Sequence, residues 1–197
     1  MHQKGHLGVT LLTWAPIVAV IGVFFDYLIL YALVGTFLLV NPLMPLALLM
    51  NQRFGVFRGR YSLSLCMIPD VDMKLPLVKH RGFTHTVWFA AIFAVLSGVI
   101  GYGVLSVLSP AFIQLSQQMT IAIVVFSGYI GFHAVVSHIL ADALTPMGIR
   151  PFAPLSKREF GLGLMTAGNT IGNLLLLLFG ILAVVLAFYL PQAEIIN

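Results

Sequence analysis

The sequence predicts an all-α, polytopic membrane protein with about five transmembrane helices. Hydrophobic residues occupy 60% of its 197 positions and charged residues only 8%, and the mean hydropathy is +1.04. A soluble domain has about 25% charged and 45–50% apolar residues. A core of this size cannot hide so much apolar surface from water, so the excess must face lipid. We expect a single integral membrane domain over residues 1–197.

Five apolar runs are long enough to cross a bilayer core, which takes about 20 residues per helix. They cover about residues 7–25, 27–50, 83–108, 119–144 and 170–190. Pro42 and Pro45 fall in the second run and should kink it or draw its end to the interface. The alternative is that the first two runs form a broken, partly re-entrant pair.

The ten Lys and Arg residues predict the orientation. Lys4 precedes the first run, six lie between residues 51 and 82, and three lie between residues 145 and 169. The other links carry none, so a five-span path puts every positive charge on one side, which the positive-inside rule assigns to the cytoplasm. We expect a multi-pass protein of the cytoplasmic (inner) membrane, with its amino terminus cytoplasmic and its carboxyl terminus external. The net charge of +4 then reflects topology, and no nucleic acid partner is expected.

The fourth run ends with His138 and Asp142, which are separated by one helical turn. Side chains at positions i and i+4 lie on one helix face. The spacing suits two ligands of one metal ion, or a carboxylate that orients a ligating histidine. A His–Asp hydrogen bond that merely closes the helix end is the alternative.

Asp70 and Asp72 form a second pair, directly after Pro69. Two carboxylates this close repel each other unless a cation lies between them. Proline restricts the backbone and places the pair in an extended or turn segment. A solvated acidic turn would explain the same pattern.

A third group, His80 to His85, leads into the third run. We expect His85 to lie about one turn inside that helix, and Gly82 to permit the sharp turn before it. Arg81 offers two parallel donors to a phosphate or carboxylate. Interfacial side chains that reach towards head groups are the alternative.

The charge-derived topology brings seven candidate metal ligands from four segments to one membrane face. They are His6, Asp70, Asp72, His80, His85, His138 and Asp142. His133 lies about 140° around the helix from His138, so we expect it to be a packed, hydrogen-bonded histidine. Mixed histidine and carboxylate ligands suit zinc, with manganese or iron as alternatives, better than magnesium or calcium.

The order of these motifs resembles that of the predicted membrane-bound metal-dependent hydrolases, the YdjM-like inner-membrane proteins. The resemblance extends from about His6 to Pro154, and its most specific element is the string His-Arg-Gly-x-Thr-His. The matching elements are His6, Pro69-Asp70-x-Asp72, His80-Arg81-Gly82-x-Thr84-His85 and His138-x-x-x-Asp142-x-x-Thr145-Pro146-x-Gly148.

The ligand types are also similar to those of the zinc-dependent phospholipase C and single-strand nuclease superfamily, which implies phosphoester hydrolysis. This sequence lacks a second His/Glu pair after Asp142, and Glu159 has no neighbouring histidine. We therefore expect one or two ions rather than three.

The resulting hypothesis is a metal-dependent hydrolase at the cytoplasmic membrane surface that acts on a phosphoester of a lipid or lipid-linked substrate. Asp72 would be a bridging ligand or general base, and Arg81 would hold the substrate anion. Membrane lipids are the expected partners, and the sequence leaves the oligomeric state open. The alternatives are a divalent-metal transporter and a structural membrane protein stabilised by its metal.

Overall fold

The computed structural model describes residues 1–24, 29–40, 64–74, 80–112 and 116–195, and the described chain is helical. The α-helices are α1 (Gln3–Phe24), α2 (Ile29–Val40), α3 (Val87–Phe112), α4 (Gln117–Ala143) and α5 (Thr170–Ile195). Short 3₁₀ helices cover Leu65–Met67, Pro69–Lys74 and Phe83–His85. Within the described ranges, the β pairing is confined to one bridge between Ile149 and Phe160.

Four of these helices are long and apolar enough to cross a membrane. The qualifying stretches are Gln3–Ile21, Val87–Val107, Gln117–Ala143 and Thr170–Tyr189. The prediction of an all-α polytopic membrane protein is therefore confirmed. Of the predicted second span, α2 is the described part, and Pro42 and Pro45 lie outside the described residues.

Helices α1 and α5 run parallel, and glycine allows their backbones to touch. A Cβ atom on Gly8 would lie 2.3 Å from the carbonyl carbon of Leu176, and one on Gly180 would lie 2.6 Å from Gly8 O. Both positions require glycine, since no side chain fits at such distances. In membranes such close packing helps helices to associate, because lipid is as apolar as the helix surface and leaves no hydrophobic driving force between them.

Helix α4 packs against both α1 and α3. Thr10 and Ser137 share a hydrogen bond of 2.8 Å between α1 and α4. Deeper in the bundle, the fully buried Trp14 donates to Thr36 Oγ1 and belongs to an apolar cluster with Val18 and Ile130. Helices α1, α3 and α5 begin at the end of the bundle where α4 finishes, and we call this the site end.

The third helix starts later than the sequence pattern predicted. Thr86 is extended (φ −116°, ψ 157°), and its hydroxyl accepts a hydrogen bond from Phe89 N, which makes it the N-cap of α3. His85 consequently lies in a 3₁₀ turn before the helix and not one turn inside it. That expectation was wrong because Thr86, which follows His85, caps the helix.

Helices α1 and α5 begin at the same end of the bundle, and a topology experiment can test whether the chain crosses the membrane five times. We expect a reporter fused after Asn197 to read as external and one inserted near Gly59 to read as cytoplasmic, since all ten Lys and Arg residues fall in alternate links of a five-span path. Protease accessibility in oriented membrane vesicles provides the measurement. Both reporters on the same side would contradict five crossings.

Candidate metal centre

Four candidate ligands converge at the site end. Asp70 comes from a 3₁₀ helix, His85 from the 3₁₀ turn before α3, and His138 and Asp142 from the last turns of α4. One ligand atom of each lies within 4.8 Å of the others. His85, His138 and Asp142 are buried, whereas the Asp70 side chain keeps 12% of its surface exposed.

Five of the six separations between these atoms are close to those around a tetrahedral ion. Bonds of about 2.0–2.2 Å place neighbouring tetrahedral ligands about 3.3–3.6 Å apart. His85 Nε2 lies 3.2 Å from His138 Nε2 and 3.5 Å from Asp70 Oδ1 and from Asp142 Oδ2. His138 Nε2 lies 3.3 Å from Asp70 Oδ1 and 3.8 Å from Asp142 Oδ2. The donor set therefore fits a divalent cation in both chemistry and spacing.

Hydrogen bonds orient both histidines for this role. His138 Nδ1 lies 2.7 Å from the carbonyl oxygen of Cys66, which can only accept, so Nδ1 donates. His85 Nδ1 lies 3.0 Å from Thr84 Oγ1, whose own hydroxyl donates to Asp72 at 2.6 Å. Each ring therefore turns an Nε2 lone pair towards the cluster, as ligating histidines held by a second partner do.

Two lone pairs that face each other at 3.2 Å need a cation or a proton between them. Burial lowers the pKa of His85, but hydrogen bonds to Asp142 and Asp70 outweigh it and raise that pKa overall. For Asp70, burial raises the pKa, yet the hydrogen bonds to His138 and His85 hold it below its usual range. The cluster thus favours positive charge at its centre.

Asp72 lies next to the cluster and holds the residues around it by hydrogen bonds. Its buried carboxylate accepts hydrogen bonds from His80 Nδ1 at 2.9 Å, from Arg81 N at 3.2 Å and from the Thr84 hydroxyl. Asp72, His80 and His85 also form a second group close enough to hold a metal. That group would use His85 Nδ1 (3.4 Å from Asp72 Oδ2), whereas the four-residue cluster uses Nε2. A neutral imidazole has one free lone pair, so His85 serves one cluster at a time.

Arg81 links the segment from His80 to His85 with the end of α4. Its guanidinium donates from Nη2 to Asp142 Oδ1 and from Nη1 to the carbonyl oxygen of Gly148, both at 3.0 Å. Its backbone has a φ of 60°, a conformation that non-glycine residues rarely adopt and that often marks functional sites. The sharp turn expected at Gly82 is present, since Gly82 has φ −83° and ψ −130°, a conformation outside the regions that other residues favour.

Gly148 explains the Thr-Pro-x-Gly part of the motif. Its φ is 59°, and a Cβ atom there would lie 2.9 Å from Phe160 O. Glycine is therefore required at the point where the link after α4 turns back and presents its carbonyl to Arg81. Thr145 closes the end of α4 with a hydroxyl bond to Asp142 O at 2.8 Å.

His6 reaches the same cluster from the first turn of α1. Its ring stacks on His138 at 3.9 Å, and its Nε2 lies 3.7 Å from Asp142 Oδ1. The ring is fully buried, and neither nitrogen has a hydrogen-bond partner in the described part of the chain. An unpaired buried polar group costs about 1–3 kcal/mol, so this ring is suited to a ligand.

The model of the YdjM inner membrane protein family matches residues 1–195. The chain belongs to the YdjM inner membrane protein family. Neither a curated protein nor a solved structure matches it.

The structure of this YdjM-family chain brings four predicted ligands to one point, stacks a fifth on them and sets two beside them. Asp70, His85, His138 and Asp142 form the cluster, and His6 stacks on it. Asp72 and His80 make the adjoining pair, in which the His80 side chain is 41% exposed.

Other polar residues fall outside the cluster. His133 lies 3.2 Å from Thr13 Oγ1 and 3.3 Å from Thr10 O. Glu159 pairs with Arg150 on the surface. Asp26 is outside the described residues. Thr84 lies inside the most specific string, yet the sequence pattern indicates no role for its hydroxyl or for the carbonyl of Cys66.

Proposed function

We propose that this inner-membrane protein is a metal-dependent hydrolase of a phosphoester in a lipid or lipid-linked substrate, with its site at the cytoplasmic face. The observation that carries the proposal is the convergence of Asp70, His85, His138 and Asp142, whose ligand atoms all lie within 4.8 Å of one another. One divalent ion is proposed, with zinc first and manganese or iron as alternatives. Such an ion would supply a nucleophilic water at neutral pH and neutralise charge on the phosphoryl oxygens.

The surrounding residues have separable tasks in this proposal. Asp72 holds His80 Nδ1 in its donating state, which leaves His80 Nε2 free to accept a proton as a general base. His80 is the exposed member of the site and Asp70 the partly exposed ligand, so substrate would approach from their side. Arg81 already neutralises one oxygen of Asp142, and its Nε has no partner within the described chain.

A hydrolysis assay that identifies the products by mass spectrometry tests the proposal, because cleavage of a diester frees no inorganic phosphate. Chelated and metal-reloaded protein in detergent micelles would be offered phosphatidic acid, diacylglycerol pyrophosphate and phosphatidylglycerol, which present a monoester, a diphosphate and a diester. We expect metal-dependent hydrolysis of one of them. His85→Ala should lower its rate by more than about 100-fold, because an outer-shell change alone costs about 10–100-fold.

His133→Ala provides the matched control, since it removes a buried histidine that bonds Thr13 and Thr10 instead of the cluster. Its activity should remain close to that of the unmodified protein. No product from any of the three lipids with metal-loaded protein would contradict the proposed hydrolase.

The transporter alternative has one observation in its favour. Polar contacts continue below the site, from Thr10 with Ser137 to Thr13 with His133. This track extends about 10 Å along α1 from His6 and then meets the apolar cluster around Trp14. Uptake of divalent ions into liposomes would favour transport over hydrolysis.

A further inference from the structure

The link between α4 and α5, residues 145–169, exposes large apolar side chains at the site end. Met147, Leu155, Leu162 and Leu164 keep 76%, 79%, 67% and 72% of their surfaces exposed. Single apolar side chains on a surface are normal, whereas several in one link indicate a surface that meets a membrane or a partner. The depth and the charge of the link distinguish between these two.

Backbone hydrogen bonds hold one part of the link at the end of α4. Leu162 N donates to Ala143 O at 2.7 Å, and Leu164 N donates to Leu144 O at 2.9 Å. Carbonyl groups in the last turn of a helix have no partner within the helix, and the link supplies two of the missing donors. Because Ala143 is also the last residue of the membrane-spanning stretch of α4, both leucines lie at the level where that span ends.

The same link is fixed to the start of α3. Val87 is the first residue of that helix and of its membrane-spanning stretch, and its N–H donates to Pro151 O at 2.9 Å. The next residue, Trp88, has 40% of its surface exposed. Tryptophan is enriched at the boundary between lipid and water, which suits its apolar ring and its polar N–H. The link is therefore tied to two spans at the level of this boundary.

The charges of the link suit the anionic surface of a bilayer. Its charged side chains are those of Arg150, Lys157, Arg158 and Glu159. Arg150 and Glu159 pair with each other, whereas Lys157 and Arg158 are exposed and meet no carboxylate within the described chain. Segments that lie in a bilayer interface combine such basic residues with exposed leucine and phenylalanine side chains. Anionic lipid fits both features, since its phosphate suits the basic side chains and its acyl chains suit the leucines.

We propose that the link between α4 and α5 is an interfacial anchor. It inserts its exposed leucines into the leaflet at the site end and holds anionic lipid with Lys157 and Arg158. The anchor does not depend on hydrolysis. It has a consequence for the metal centre, because Asp142 directly precedes Ala143, to which Leu162 is bonded. The anchor thus holds the metal centre close to the boundary between head groups and acyl chains.

Spin labels on the link measure its depth. Leu155, Leu162 and Leu164 would be replaced by cysteine one at a time in a Cys66→Ala background. The protein would be placed in nanodiscs of mixed phosphatidylcholine and phosphatidylglycerol. Collisions of each label with oxygen, which partitions into lipid, would be compared with its collisions with a water-soluble nickel chelate. We expect oxygen to dominate at all three positions.

Two further labels calibrate these readings. Val95→Cys lies on an exposed part of a membrane-spanning stretch and marks lipid, whereas Lys157→Cys lies at a basic position of the link and should be reached mainly by the nickel chelate. Cys66→Ala removes a buried thiol and keeps the carbonyl that accepts from His138. Leucine labels that behave like Lys157→Cys would place the link in water, and labels reached by neither reagent would mean that protein covers it. Either result overturns the anchor.

Quenching by brominated lipid tests the preference for anionic lipid. Leu155→Trp places a fluorescent reporter in the link, and the signal of the native tryptophans is subtracted with the unmodified protein. Nanodiscs of one mixture would carry bromine on either phosphatidylglycerol or phosphatidylcholine. We expect brominated phosphatidylglycerol to quench the reporter more than its share of the bilayer predicts. Lys157→Gln and Arg158→Gln should each lower this preference about fivefold, which corresponds to about 1 kcal/mol per basic residue at an anionic surface.

Lys4→Gln is the matched control, because it removes an exposed positive charge outside the link and should leave the preference unchanged. Equal quenching by both lipids, or a preference that Lys4→Gln lowers as much as Arg158→Gln does, would overturn the binding of anionic lipid by the link. Both experiments read the position of the link and not a reaction, so they can succeed while no substrate is hydrolysed. Conversely, an active enzyme whose leucine labels report water would keep the proposed function and lose the anchor.

Discussion

Replacing His138 or Asp142 with alanine is expected to remove the bound metal, whereas replacing His133 is not. Each of the first two substitutions deletes one of the four atoms that surround the proposed ion. Outer-shell changes cost about 10–100-fold in metal affinity, and loss of a direct ligand should cost at least that. Metal per protein, measured by mass spectrometry after desalting, should fall from near one to below about one tenth.

His133 is a stringent control because, like His138, it is a buried histidine of α4. Its Nε2 contacts Thr13 Oγ1 and Thr10 O, so His133→Ala should cost about 1–3 kcal/mol of stability and keep the metal. Far-UV circular dichroism confirms that each variant is folded. Metal lost from His133→Ala but kept by His138→Ala would refute the ligand assignment.

Much of the cluster could be predicted from residue spacing. His138 and Asp142 are one turn apart on a regular helix, and the charge pattern placed both at the same membrane face as His6. Helix periodicity and charge asymmetry act over long stretches, so they survive errors of a few residues in any boundary. The prediction that the chain is an all-α membrane protein rests on the same robust averages.

The orienting groups could not be predicted in this way. The acceptor for His138 is the main-chain carbonyl of Cys66, and every residue type carries such a group. Gly82 predicted a sharp turn before α3, but nothing in the sequence predicted the positive φ of Arg81. Hydrogen bonds from its backbone and side chain to Asp72 and Asp142 compensate for that conformation.

The start of α3 was predicted wrongly for a related reason. Thr84, His85 and Thr86 are polar but lie within one helical turn between the apolar Phe83 and Val87, so hydropathy averaged over a span does not locate the helix start. The helix start is marked instead by a single hydrogen bond, which the Phe89 amide donates to the Thr86 hydroxyl. This small shift matters, because it leaves the His85 ring at the cluster with Thr84 as its partner.

Removing the metal is expected to lower the thermal stability of the protein markedly. A ligand that binds only the folded state adds about 2.7 kcal/mol at 100 times its Kd and about 4.1 kcal/mol at 1,000 times. For a chain of this size, 1 kcal/mol corresponds to about 2–4 °C in Tm, so chelation should lower Tm by about 5–15 °C. Scanning fluorimetry in detergent, with and without chelator, measures the difference.

The physical reason lies in what the chelator leaves behind. His85 Nε2 and His138 Nε2 remain 3.2 Å apart. The carboxylates of Asp70 and Asp142 lie within 3.8 Å of His138 Nε2. Without a cation these groups either repel or take up a proton. Added zinc, manganese or ferrous iron should restore Tm, whereas calcium, which prefers oxygen ligands, should not.

The ligand variants separate this effect from non-specific action of the chelator. In His138→Ala, Tm should be low at the outset and insensitive to both chelator and zinc. In His133→Ala, Tm should start lower but keep the full metal-dependent increment, because the four surrounding atoms are intact. The proposed metal centre would be contradicted if the Tm of the unmodified protein changed with neither chelator nor added ions. Hydrogen bonds and protons alone would then hold the cluster together.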